Sequence, residues 1–316
     1  MDIFNSVVHV GIDGGQGSLK IVMNMFDPSV LDFQPKNQNK YLISFIFYIL
    51  SKQYLKLFSI IKGHDGKYLC CYCDGPMDEK EVLRTFGSLA DEFKKYQFDN
   101  KPRIQMQYCK NVIYPCLLDE KLTEEIINII PPPDYHIYEH HVSKIIDILF
   151  TYKSLKEFLE KKTIIRHGYN GGGFDGPNCA KVSSSLDEMT LYSPIEYLEC
   201  IETIRRFKEV AECCFGMKLD ISYKEKIDKF VESVLHLKVY VYDVFAMKIS
   251  LGWKFHIIRF HLKEYLERQK ILLGITSEQT SEAVHKNLNK TLKRFVLSEK
   301  NVHYSEKLRA IVVEYS

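Results

Sequence analysis

"NSVVHVGIDGGQGSLKIVMNMF", residues 5–26, sets the first expectation for the fold. An apolar run leads into Asp13, a glycine turn follows, then Lys20 and a second apolar run. The glycines supply positive φ at little cost, so residues 7–26 are read as a strand–turn–strand hairpin. Asp13 sits at the tip of the first strand, where a carboxylate can face a cation. Glycines at 14, 15 and 17 also let a phosphate approach the backbone. The plain alternative is a hairpin turn, since Asp-Gly is a favoured turn pair.

The 316 residues suit one large domain or two modest ones. A 46% hydrophobic and 27% charged composition is that of a globular chain able to bury a core. A net charge of +2 gives no bulk argument for nucleic acid. Nine cysteines, an odd number and partly adjacent, do not form a secreted disulfide pattern, so a reducing, intracellular setting is expected. The N-terminus does not read as a signal peptide. The ten-residue run "YLISFIFYIL" (41–50) is too short to span a bilayer as a helix, and no membrane association is expected.

From about residue 119 the pattern turns helical. "LDEKLTEEIINII" ends at Pro131–Pro133, and Asp134 is placed to cap the next helix. "SPIEYLECIETIRRFKEVAECCFG" reads as a long helix with Pro194 in its first turn and Gly216 at its end. Further helices are expected over 222–236 and 256–268. "RHGYNGGGFDGPNCAKV" (166–182) is read as a glycine-rich structural loop without Walker spacing. The order is β-rich first, then a long helical stretch, then a final helix capped at Ser277, so the fold class expected is α/β.

The sharpest chemical signal is "CCYC". Cys70 and Cys73 have the C-x-x-C spacing that lets two thiolates share a zinc ion. His64, His136, His140 and His141 are candidates to complete the site. His136 is preferred, because it follows the prolines at a helix start. Buried, inert thiols are the alternative. His256 and His261 in "HIIRFH" are read as packed or solvated histidines. Near the C-terminus Glu278, Glu282 and His285 share one helix face.

The order "HVGIDGGQGSLKI", "KGHDGKYLCCYCDGP", "LRTFGSL", "NVIYPCLL", "IIPPPDYHI", "YNGGGFDGPNCAKV", "SEQTSEAVHKNLNKTLKRF" resembles a family of uncharacterised mobile-element proteins of invertebrate genomes, similar to ribonuclease-H-like (DDE-type) transposases. The resemblance runs from about residue 7 to 297. It implies a ribonuclease-H-like core with a large, mainly helical insertion. Residues 1–75 would be the N-terminal part of that core with the C-x-x-C loop. Residues 76–275 would be the insertion, and 276–316 the closing helix and tail. It implies metal-dependent DNA strand transfer or cleavage, with Asp13 and Glu282 on magnesium, DNA as partner and a nuclear location. The second acid departs from the pattern. Tyr54 stands where it is expected, and Asp65 is the nearest substitute, so the catalytic reading is of a degenerate site. Zinc at Cys70, Cys73 and His136 would be structural.

Two other functions compete. "GIDGGQGSLK" resembles the first phosphate loop of actin-like ATPases and sugar kinases, but a second such hairpin is not found in the sequence. A non-catalytic zinc-binding interaction protein is the third reading.

Overall fold

The computed structural model describes residues 7–15, 18–26, 46–49, 67–98, 108–112, 123–166, 173–216, 219–269 and 273. All of them belong to one compact unit, Met1–Ser277.

Strands β1 (Val7–Gly15) and β2 (Ser18–Phe26) pair antiparallel, in register from Val7 opposite Phe26 to Gly15 opposite Ser18. The hairpin expected over residues 7–26 is present. Strand β3 (Ile46–Ile49) lies parallel to β1 on its other edge, His9 opposite Ile46, and the sheet order is β2-β1-β3. Part of the apolar run 41–50 is thus a strand. Among the described residues no helix is long and apolar enough to cross a membrane.

The expectation of an α/β fold on a ribonuclease-H-like core is overturned. The packed body, from residue 67 to 269, is all-α; among the described residues its β-features are isolated bridge positions such as Cys73 with Leu83 and Thr85 with Glu125, and none forms a strand. Most of the buried apolar side chains described lie on helices, with the loop 69–73 and the connecting residues Val112, Ile130, Ile164 and Phe174 filling in between, so the core is mainly helix packed on helix. A hairpin signal in the sequence is local. It does not say which elements will bury the bulk of the apolar surface.

The helices follow in chain order: α1 (Phe86–Phe98), α2 (Ile126–Ile129), α3 (Asp134–Leu149), α4 (Lys153–Lys161), α5 (Gly176–Ser184), α6 (Leu186–Tyr192), α7 (Leu198–Cys214) and α8 (Tyr223–Phe245). The last helical run is α9 (Gly252–Ile257), a π-helical turn (Ile258–Leu262) and α10 (Lys263–Gln269).

Helices α7 and α8 are the spine. On α7, Cys200, Ile204, Phe207, Val210 and Cys214 recur at steps of three and four and form one buried face. On α8, Tyr223, Ile227, Phe230, Val234, Leu237 and Val241 do the same. The two faces meet where Phe207 stacks on Phe230, centroids 4.5 Å apart. Two buried hydroxyls share this interface, Thr203 and Ser233. They bond each other at 2.7 Å, so neither lacks a partner.

Helix ends follow local chemistry. Thr85 and Ser88 cap α1 reciprocally: the Ser88 amide donates to Thr85 Oγ1 and the Thr85 amide to Ser88 Oγ. Helix α3 starts at Asp134 after three prolines, with Pro133 rather than Asp134 at the cap position. The stretch 166–182, expected as loop, is partly helix. Asp175 Oδ1 accepts from the Asn178 amide at 3.0 Å and starts α5. Helix α8 runs well beyond the expected residue 236 and stops at Ala246, whose φ of 54° is left-handed.

Candidate metal centre

Two segments far apart in sequence build one cluster. Cys70 and Cys73 come from the loop before α1. His256 and His261 come from the end of α9 and the π turn. One ligand atom from each lies within 4.8 Å of all the others, and all four residues are buried. Among the described residues this is the only such group.

The loop is shaped by backbone bonds. The Asp74 amide donates to Val82 O at 3.0 Å and the Arg84 amide to Tyr72 O at 2.8 Å, which folds 70–84 back on itself. Gly75 sits where a Cβ would come within 2.7 Å of Glu79 O and 2.8 Å of Glu81 N, so the fold-back needs a residue without one. The Tyr72 amide points at Cys70 Sγ, 3.3 Å away. Buried Arg84 donates from Nε to Cys73 O at 2.9 Å and pairs with Glu92 at 2.9 Å. The position of Cys73 is therefore held from behind by a fixed guanidinium.

The histidines are brought together by a change of helix type. At 3.6 residues per turn, positions five apart lie about 140° apart around an α-helix. His256 and His261 are five apart. The turn Ile258–Leu262 is π-helical, with i→i+5 bonds, and one turn of it returns position 261 above position 256. Their Nε2 atoms lie 3.2 Å apart. His256 Nδ1 is 3.0 Å from Met77 O and must donate to it, which leaves Nε2 with its lone pair toward the cluster.

Three of the six edges of the cluster are close to those of a tetrahedral zinc site. With Zn–S near 2.3 Å and Zn–N near 2.0–2.1 Å, tetrahedral edges come to about 3.5 Å for S···N and about 3.3 Å for N···N. The structure has Cys70 Sγ to His261 Nε2 at 3.3 Å, Cys73 Sγ to His256 Nε2 at 3.3 Å, and the imidazole pair at 3.2 Å. Two thiols and two imidazoles are a donor set for zinc rather than magnesium, which takes oxygen ligands.

The protonation balance agrees. Burial pushes His261 down, but the neighbouring Cys70 and Cys73 outweigh it and hold its pKa up at about 9. The Cys70 side chain and burial raise Cys73, against the pull of both histidines. These groups share a few protons in a closed space, and a divalent cation would take the protons' place.

The sequence-level candidates fare unevenly. Cys70 and Cys73 are ligand candidates as expected. His136 is not in the cluster. It lies on α3, with Nδ1 3.4 Å from Glu139 on the same helix. The histidines that meet the cysteines are His256 and His261, whose sequence context alone reads as packed or solvated. His141 is also elsewhere, among Phe207, Phe230 and Phe255. Asp13 pairs with Lys20 in the β1–β2 register. His64, Asp65, Tyr54 and Glu282 lie outside the described residues, as does Ser277, and no described group supports magnesium. Searched against protein-family models, the chain matches none, and it matches no curated protein.

Proposed function

We propose that this is a non-catalytic zinc-binding protein, in which one structural zinc ion ties the loop carrying Cys70 and Cys73 to the helix carrying His256 and His261. The observation that carries the reading is the closed, buried set of four donors, all within 4.8 Å of one another. Structural zinc sites have four protein ligands. Catalytic ones have three and keep a position for water or substrate. Bound there, the ion neutralises two thiolates and cross-links distant parts of the chain. It has no coordination position left for a reactant.

The test is metal analysis of the purified chain, followed by cobalt(II) substitution. One equivalent of zinc is expected. Cobalt should give thiolate charge-transfer and tetrahedral ligand-field bands, both lost in Cys70→Ser and Cys73→Ser. A chain that takes up no metal, or whose bands survive both substitutions, refutes the reading.

A further inference from the structure

Three of the four donors are held by a second contact, and the fourth is not. Cys70 Sγ accepts from the Tyr72 amide at 3.3 Å. The Cys73 carbonyl is fixed by Arg84 at 2.9 Å. His256 Nδ1 donates to Met77 O at 3.0 Å, and its ring packs on Phe260 with centroids 4.8 Å apart. His261 Nδ1 is buried and has no hydrogen-bond partner among the described residues. Its ring lies tilted against Tyr72 at 5.5 Å and against the ring of His256, its fellow ligand, at 5.1 Å. Metal-bound histidines ordinarily donate their second nitrogen to a carbonyl or carboxylate, which fixes tautomer and orientation. His261 lacks that anchor.

His261 also stands on the least regular turn of its helix. A π turn is an α-helix with one residue too many, and it persists where something compensates for it. Reverting Ile258–Leu262 to α-helical bonding would carry His261 about 100° around the helix axis, away from His256. In the structure the compensating contact is the meeting of His261 Nε2 with Cys70 Sγ and His256 Nε2, at 3.3 and 3.2 Å.

We infer that His261 is the exchangeable ligand of this centre, and that the bound metal holds Ile258–Leu262 in its π-helical form. The inference rests on the zinc reading and adds an order of events to it. Metal leaves by release of His261 first, as the π turn relaxes, while Cys70, Cys73 and His256 still hold it.

The experiment uses the full chain with cobalt(II) as probe. Absence of thiolate–cobalt bands in the unmodified chain removes the zinc reading itself, whatever His261 does. Given those bands, His261→Ala should bind cobalt about 10–100-fold more weakly, with the thiolate band retained. His256→Ala should lose at least ten-fold more than that. Equal losses, or the reverse order, overturn the assignment. Deleting Arg259, a half-buried residue in the π turn, shortens the histidine spacing to four, which an ordinary α-helix presents on one face. This variant should bind cobalt at least as tightly as the unmodified chain and release it to a chelator more slowly. A folded deletion variant that fails to bind overturns the π-turn argument. Hydrogen exchange on the unmodified chain needs no variant. Amides 258–262 should exchange at least ten-fold faster without metal than with zinc, while those of 227–241 in α8 change little. Equal protection of 258–262 in both states overturns the inference.

Discussion

Cys73 and His256 are 183 residues apart in the chain, and their Sγ and Nε2 atoms are 3.3 Å apart. A metal bound between them closes more than half of the protein into one loop. On the chain-entropy model, fixing a loop of that length removes about 5 kcal/mol of freedom from the unfolded state. Removing the metal should lower the thermal midpoint by on the order of 10 °C. Calorimetry with and without a chelator measures it. Most helical circular dichroism at 25 °C should survive, because the α7–α8 interface does not depend on the centre.

Arg84 and Glu92 form a buried pair directly behind the knuckle. Burial raises the Glu92 pKa to about 7, with Arg84 only partly opposing it. The folded value lies above the usual carboxylate range. The contribution of Glu92 to stability is therefore fully present below pH 4.5 and lost as pH rises through about 7. Glu92→Gln should flatten that part of the stability–pH curve. Arg84→Met leaves the carboxylate alone and should cost about 3 kcal/mol at pH 8, and clearly less at pH 5, where Glu92 takes a proton. Urea unfolding at the two pH values checks both.

His141 has the opposite sign. It is buried against Phe207, Phe230 and Phe255, and both ring nitrogens lack a hydrogen-bond partner among the described residues. Burial, with Lys254 adding to it, lowers its pKa to about 3. Its contribution is present above pH 6.5 and lost as pH falls toward 3. At pH 5 the unfolded chain gains roughly 2 kcal/mol by protonating this residue. His141→Phe suits the aromatic surroundings and should abolish that loss, raising stability at pH 5 by at least that amount. An unchanged acid limb in the variant would argue against the assignment.

Ala246 ends α8 in the left-handed region, its amide donating to Tyr242 O at 3.0 Å. A Cβ is costly there, and glycine is the usual residue at such helix ends. Ala246→Gly should stabilise the protein by up to about 1 kcal/mol, since relief of strain outweighs the added freedom of the unfolded chain. A denaturation midpoint that falls would show that the left-handed turn is not the dominant effect at this position.

Some of this architecture is written in short-range patterns. The glycines and flanking apolar runs of residues 7–26 determine a hairpin, because turn geometry and alternation act between neighbours. The three- and four-residue steps along 198–214 and 223–245 determine helices and their buried faces for the same reason. The spacing of Cys70 and Cys73 marks them as a pair of donors. Which core those elements build was not local. The hairpin points to a sheet-centred fold, whereas the packed body over residues 67–269 is helical, with most of its described buried apolar side chains on helices. The other half of the metal centre was hidden for a sharper reason. Five-residue spacing sets His256 and His261 on different sides of an ordinary helix, and His136, at a well-defined helix start, looked better placed. Only the π turn rotates His261 onto His256, and only the packing of the last helical run against the 70–84 loop brings both imidazoles to the thiols. Contacts across 183 and 191 positions depend on how whole elements pack, which no window of sequence contains.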